Sequence, residues 1–230
     1  MIFGGIQKLT LLDYPDKAAC TLFTAGCNFS CPFCQNAPLI SPIDKDETKS
    51  VSEILEFLKA RQGLLDGVCI SGGEPLLQND LEAFIDEVKA LGFLVKLDTN
   101  GSYPGKLEKL ISSGAIDYVA MDIKNTPKKY AQTIGLPGYD VSPVKESVDL
   151  LRKGLVPYEF RTTVVREFHT ESDLLSIASW LSGAGRYYLQ QFINSDRVLQ
   201  SGLNSYSDNE MRQLLCSIVK TMPNAELRGV

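Results

Sequence analysis

Short apolar runs alternate along this chain with longer segments in which apolar residues return every three or four positions. The first pattern is that of buried strands, the second that of helices with one buried face. Ala18–Thr24, Val68–Ile70, Leu94–Leu97 and Tyr118–Met121 read as strands, as do 158–165 and 187–193. Helical patterns fall near 79–91, 104–113, 144–153, 171–182 and 208–220, and another begins near Ser50 and is punctuated by Gly63. The segment 79–91 is the clearest, because Leu81, Phe84, Ile85, Val88 and Leu91 form one stripe that Gly92 closes. In 208–220 the residues Met211, Leu214, Leu215, Ile218 and Val219 share a face.

This βα alternation predicts an α/β fold with parallel strands, each helix crossing back over the sheet. About six such units are present, whereas a complete eightfold barrel typically needs about 250 residues. The expectation is therefore an incomplete, laterally open (β/α)6 barrel, a partial TIM barrel, as a single domain over residues 1–230 with 1–17 leading into it. Asp44-Lys45-Asp46-Glu47 reads as a solvated connector, and Gly135–Tyr139 as an irregular exposed loop.

Charge narrows the partners. With 28 acidic against 23 basic residues, a net charge of −5 and no Lys/Arg-rich run, nothing draws the surface toward nucleic acid or anionic lipid. Met1–Gly5 lacks the basic flank and apolar run of a secretory signal, and no run of about 18 apolar residues could span a bilayer. The protein is read as cytoplasmic, with no membrane partner.

Of the six cysteines, three crowd together as Cys27-x-x-x-Cys31-x-x-Cys34, directly after the strand Ala18–Thr24 and Gly26. Three soft thiolates in one loop suit three irons of a four-iron, four-sulfur cluster, the fourth iron being left open. A structural zinc site is the other reading open to the spacing, but such sites nearly always close with four ligands. No fourth Cys or His lies near this loop, and the single histidine, His169, is far away in sequence.

Three further turns follow strands on what a parallel barrel makes the same rim. Gly72-Gly73-Glu74-Pro75 follows Val68–Ile70, Asp98-Thr99-Asn100-Gly101 follows Leu94–Leu97, and Met121-Asp122-Ile123-Lys124 ends the next strand. The glycines permit close backbone approach and Glu74 offers a carboxylate to a cationic amine. Asp, Asn and Gly also favour ordinary turns, so each segment alone says little; their succession brings carboxylates and a lysine to one rim.

Cys-x-x-x-Cys-x-aromatic-Cys, with Phe33 before the last cysteine, followed by Gly-Gly-Glu-Pro, resembles the radical S-adenosylmethionine (SAM) superfamily. The resemblance runs through nearly the whole chain and is nearest to glycyl-radical enzyme activating proteins, especially the activating component of anaerobic ribonucleoside-triphosphate reductase. Thr10–Asp16, Asp98–Gly101, Met121–Lys124 and Arg161–Val165 look like that subgroup.

The resemblance implies one 4Fe-4S cluster on Cys27, Cys31 and Cys34, whose open iron chelates the amino and carboxylate groups of SAM. Phe33, Gly72, Gly73, Glu74, Pro75, Thr99, Asn100, Asp122, Lys124 and Arg161 would contact SAM or its pocket, the Gly72-Gly73-Glu74 turn by hydrogen-bonding the amine. Asp98 and Asp122 would hold a monovalent cation. One-electron reduction would then release methionine and a 5′-deoxyadenosyl radical that takes a hydrogen from a glycine Cα of the partner reductase. A flavodoxin- or ferredoxin-like protein would donate the electron. Some activases carry a His on their last barrel strand, where this chain reads Leu189-Gln190-Gln191-Phe192-Ile193.

An activator of pyruvate formate-lyase or of another glycyl-radical enzyme, or a radical SAM enzyme acting on a small molecule, are the alternatives within this class. Outside it stand a non-catalytic iron–sulfur protein and a zinc-binding module. Cys20 and Cys69 in strands, and Cys216 in the final helix, read as small hydrophobes. His169 reads as a turn or interaction residue where a strand hands over to a helix capped by Thr170 or Ser172.

Overall fold

The computed structural model describes residues 1–40 and 48–230; the connector Asp44–Glu47 lies outside the described residues. Eight strands lie side by side in chain order: β1 (Phe3–Thr10), β2 (Ala19–Thr24), β3 (Gly67–Gly72), β4 (Leu94–Thr99), β5 (Tyr118–Asp122), β6 (Tyr158–Val164), β7 (Tyr187–Gln191) and β8 (Ala225–Arg228). Strands β2 to β8 pair in parallel, and β1 returns antiparallel along β2. No pairing joins β1 to β8 among the described residues, so the barrel is open at the side.

Parallel neighbours need crossovers, and these are α1 (Val51–Lys59), α2 (Leu81–Ala90), α3 (Pro104–Ser112), the single turn α4 (Tyr130–Thr133) with α5 (Ser142–Arg152), α6 (Glu171–Trp180) and α7 (Asp208–Ile218). Side chains alternate across each strand. Val68 and Ile70, Val95 and Leu97, Val119 and Met121 turn outward and join the core beneath the helices, all fully buried. Leu81, Phe84, Ile85 and Val88 of α2 complete that layer. Capping boxes start α1 at Ser50 with Glu53, α6 at Thr170 with Asp173 and α7 at Ser207 with Glu210. Each satisfies backbone N–H groups that would otherwise lack partners.

The six expected βα units are present as β2 through α7. The flanking strands β1 and β8 escaped the periodicity: Phe3–Thr10 includes two glycines and buries only its ends, and β8 is four residues long. Residues 1–17 therefore do more than lead into the barrel, since Phe3–Thr10 is its antiparallel edge. Cys216 is a correction. It is exposed on α7, because it lies off the stripe of Met211, Leu214 and Ile218 that faces the core. Among the described residues no helix is long and apolar enough to cross a membrane.

Candidate active site

At the C-terminal ends of the strands a cavity of about 300 Å³ opens into the barrel. Cys27, Cys31 and Cys34 line one wall, and Asp98, Asp122, Lys124 and Arg161 line another. The cysteine loop follows β2 without a helix, held by bonds to its neighbours rather than by regular structure. Asn28 Oδ1 accepts from Asn100 Nδ2 at 3.0 Å, Ser30 N–H donates to Ile134 O at 3.0 Å, and Gln200 N–H donates to Pro32 O at 2.9 Å. Phe33 lines the cavity and packs on Phe168 and His169, with ring centroids 5.6 and 6.2 Å away.

The glycine pair serves this loop. Gly73 N–H donates to Thr24 O at 2.9 Å and Glu74 N–H to Gly26 O at 2.8 Å. A Cβ on Gly73 would lie 1.9 Å from Gly26 O, and Gly72 holds a φ of 122°. Close approach is thus required by the chain's own backbone, while both glycines still line the cavity.

Glu74 is fully buried and is not among the residues that line the cavity. Oε1 accepts from Leu76 N–H at 3.0 Å and Thr99 Oγ1 at 2.8 Å, and Oε2 accepts from Asn100 N–H at 2.7 Å. Burial pushes its carboxyl up to about 7, against the pull of those donors. Glu74 therefore ties the end of β3 to the end of β4. Pro75, which begins the short 3-10 turn Pro75–Leu77, is buried and likewise does not line the cavity.

Across the cavity runs an ion ladder of alternating sign. Lys96 Nζ contacts Asp98 Oδ1; Arg161 Nη1 reaches Asp98 Oδ2 at 3.2 Å; Arg161 Nε reaches Asp122 Oδ1 at 2.9 Å; and Lys124 Nζ reaches Asp122 Oδ2 at 3.0 Å. The β-register explains it, because Lys96 and Asp98 share a face of β4 and Asp122 pairs with Arg161 across β5 and β6. Burial opposes ionisation of Asp98 and Asp122, yet Arg161 with Lys96 or Lys124 holds both carboxyls below their usual range. Burial likewise opposes the charge on Lys124, but Asp122 and Cys31 more than restore it.

The ladder ends in positive charge beside the thiols. Burial raises Cys27 to about 11 and Cys31 to about 12, and lifts Cys34 as well; Lys124 pulls all three back. Phe29 N–H donates to Cys27 Sγ at 3.4 Å. All three cysteines are free, and among the described residues no three His, Cys, Asp or Glu side chains converge on a single ion position. Three free thiols carried by one loop and lining one cavity suit a cluster whose irons take one thiolate each. The donor set fits a 4Fe-4S cluster.

The monovalent cation does not fit. Each of the four oxygens of Asp98 and Asp122 already meets a protein cation. Sequence reasoning missed Asp13, Ser71, Thr163 and Gln190, which also line the cavity. Gln190 is the residue that β7 presents there, and its apposition to Thr163 across β6 and β7 is the tertiary signal that strand periodicity alone lacks. His169 is buried: Val165 N–H donates to Nδ1 at 3.1 Å, which leaves Nε2–H to donate to Lys124 O at 2.8 Å. It braces the backbone under Lys124, in keeping with a turn role. The loop Gly135–Tyr139 is only partly exposed, because Tyr139 packs edge-on against Phe29 at 5.2 Å.

An open α/β barrel with a three-cysteine loop after its first parallel strand defines the class, and residues 21–181 match the Radical SAM superfamily. The chain belongs to that superfamily and is a radical SAM enzyme. It is 34% identical to a Methanocaldococcus jannaschii protein whose name marks it as an inferred glycyl-radical enzyme activating enzyme; the alignment covers 100% of this chain and 96% of that one. Among solved structures, Streptococcus suis SuiB superposes with a TM-score of 0.71 at 13% identity, covering 91% of this chain and 48% of SuiB. A domain of the pyruvate-formate lyase-activating enzyme of Bacteroides vulgatus gives 0.57 at 15% identity, covering 71% of this chain and 99% of the domain. These two likenesses concern the fold.

Proposed function

We propose that the chain is a glycyl-radical enzyme activating enzyme, with anaerobic ribonucleoside-triphosphate reductase as its partner. The observation that carries the reading is the meeting, in one cavity, of three free thiols with the positive end of an ion ladder. The full-length relationship to the Methanocaldococcus jannaschii protein supports the activase, and the motifs Thr10–Asp16 and Arg161–Val165 support the reductase.

Cys27, Cys31 and Cys34 would hold the cluster, which when bound supplies the single electron that cleaves SAM to methionine and a 5′-deoxyadenosyl radical. Lys124 and Arg161 set a positive potential for the SAM carboxylate, and Asp122 fixes both cations in place. The Gly72-Gly73 backbone, Thr99 and Asn100 line the same cavity and would help to confine SAM there. The surrounding core excludes water, which keeps a radical from quenching before it meets a C–H bond. The open side of the barrel admits a peptide loop, and a flavodoxin- or ferredoxin-like donor supplies the electron.

Reconstituted protein, reduced and mixed with SAM and the anaerobic reductase, is expected to give a glycyl doublet in the electron spin resonance spectrum. SAM cleavage without a doublet would reject the reductase as partner. One zinc per chain, without iron or sulfide after anaerobic purification, would reject the radical chemistry.

A further inference from the structure

The misfit between the implied monovalent cation and the ion ladder has a specific origin in Lys96. Its side chain is fully buried in the barrel interior, where Asp98 is its only carboxylate partner among the described residues and Cys69 Sγ lies 3.7 Å from Nζ. Burying a lysine is costly, and an apolar side chain of similar volume would fill such a position at least as well. Packing therefore does not explain the residue. Its effect on the ladder does: with Lys96 present, Asp98 has two cations and Arg161 can divide itself between Asp98 and Asp122.

We infer that Lys96 is a built-in monovalent cation, a positioning residue whose ammonium replaces an alkali ion beside Asp98 and keeps the SAM cavity formed without one. Without it, Asp98 draws Arg161 toward itself, the Arg161–Asp122 contact loosens, and Asp122, left with Lys124 as its cation, draws that ammonium toward itself and away from the thiols. The disturbance passes along the ladder to the cavity wall, although Lys96 itself is not among the lining residues. An ammonium group and a potassium ion carry the same charge and are close in size, so an added cation can stand in for a missing Lys96. The inference rests on SAM as the ligand of this cavity, and one arm of its test does not use SAM.

The test compares reconstituted wild-type protein, Lys96→Met and Lys96→Arg in choline, potassium and ammonium chlorides at equal ionic strength. Equilibrium SAM binding and the unfolding midpoint without SAM are measured. Wild type and Lys96→Arg are expected to be indifferent to the salt. In choline, Lys96→Met should bind SAM about tenfold more weakly and unfold roughly 10 °C lower, and potassium or ammonium should restore much of both. An equal deficit in all three salts would reduce Lys96 to a structural residue and overturn the inference. So would a wild type that gains SAM affinity from potassium, an arm that decides the matter even if Lys96→Met fails to fold. Wild type that binds no SAM in any salt would instead reject the function proposed above, while the melting arm still reads Lys96.

Discussion

The barrel interior holds two buried ionic groups, one toward the N-terminal ends of the strands and one at the cavity. In the lower group Glu159 is fully buried and accepts from Arg228 at 2.9 and 3.3 Å and from Tyr118 Oη at 3.1 Å. One anion meets one cation, and Arg228 also stacks 4.0 Å over Tyr188. Because Arg228 belongs to β8 and Glu159 to β6, the pair staples the last strand to the barrel. In the upper group three cations meet two carboxylates, and the surplus charge sits at Lys124 beside the cysteines. A closed pair holds structure together, whereas an open-ended ladder leaves charge for an anionic ligand.

The largest expected effect strikes the upper region alone. Cys31→Ala should abolish the four-iron cluster and SAM cleavage, read by iron and sulfide content and by methionine release, while Cys216→Ser on the exposed face of α7 leaves both intact. A cluster that survives the first change would refute the ligand set.

Next comes a matched pair of arginine substitutions. Arg161→Met leaves the part-buried Asp98 and Asp122 each short of a partner and Arg228→Met does the same to the buried Glu159, at a cost of about 3–5 kcal/mol in unfolding free energy. They should separate in function, because Arg161→Met weakens SAM binding and Arg228→Met, at temperatures where it is folded, does not. Equal losses of SAM affinity would dissolve the distinction between the two regions.

The smallest effect lies on the acid side of the stability profile. Asp98 and Asp122 titrate below their ordinary 3.8 in the folded chain. Their stabilisation is therefore complete above that value and is lost as pH falls through it toward the folded values. Asp122→Asn should flatten the acid limb of a plot of unfolding free energy against pH. A limb of unchanged steepness would mean that the ladder does not contribute to acid stability.

Much of this was legible in the chain itself. The six βα units followed from periodicity, since strands buried on both faces and helices buried on one leave different spacings of Val, Leu and Ile. The three cysteines were legible because a single loop carries them. Asp98, Asp122, Lys124 and Arg161 were legible as strand-end residues and do line one cavity. The edge strand Phe3–Thr10 was not, because its glycines and its exposed middle erase the alternation. Cys216 was misread, because a cysteine inside an apolar-rich helix gives no sign of its face until the buried stripe is known.

The local sequence determined which chemistry the chain has: spacing set three thiols in one loop, and periodicity set the strand ends that face them. Only the tertiary structure decided how side chains were shared out. Glu74 is a carboxylate after β3, and Thr99 and Asn100 at the end of a neighbouring strand donate to it. Asp98 and Asp122 could have gripped a cation, but Lys96 and Arg161 bring their own. A carboxylate satisfies itself with the nearest donors in space, and nearness in space across four strands is not written in any one of them.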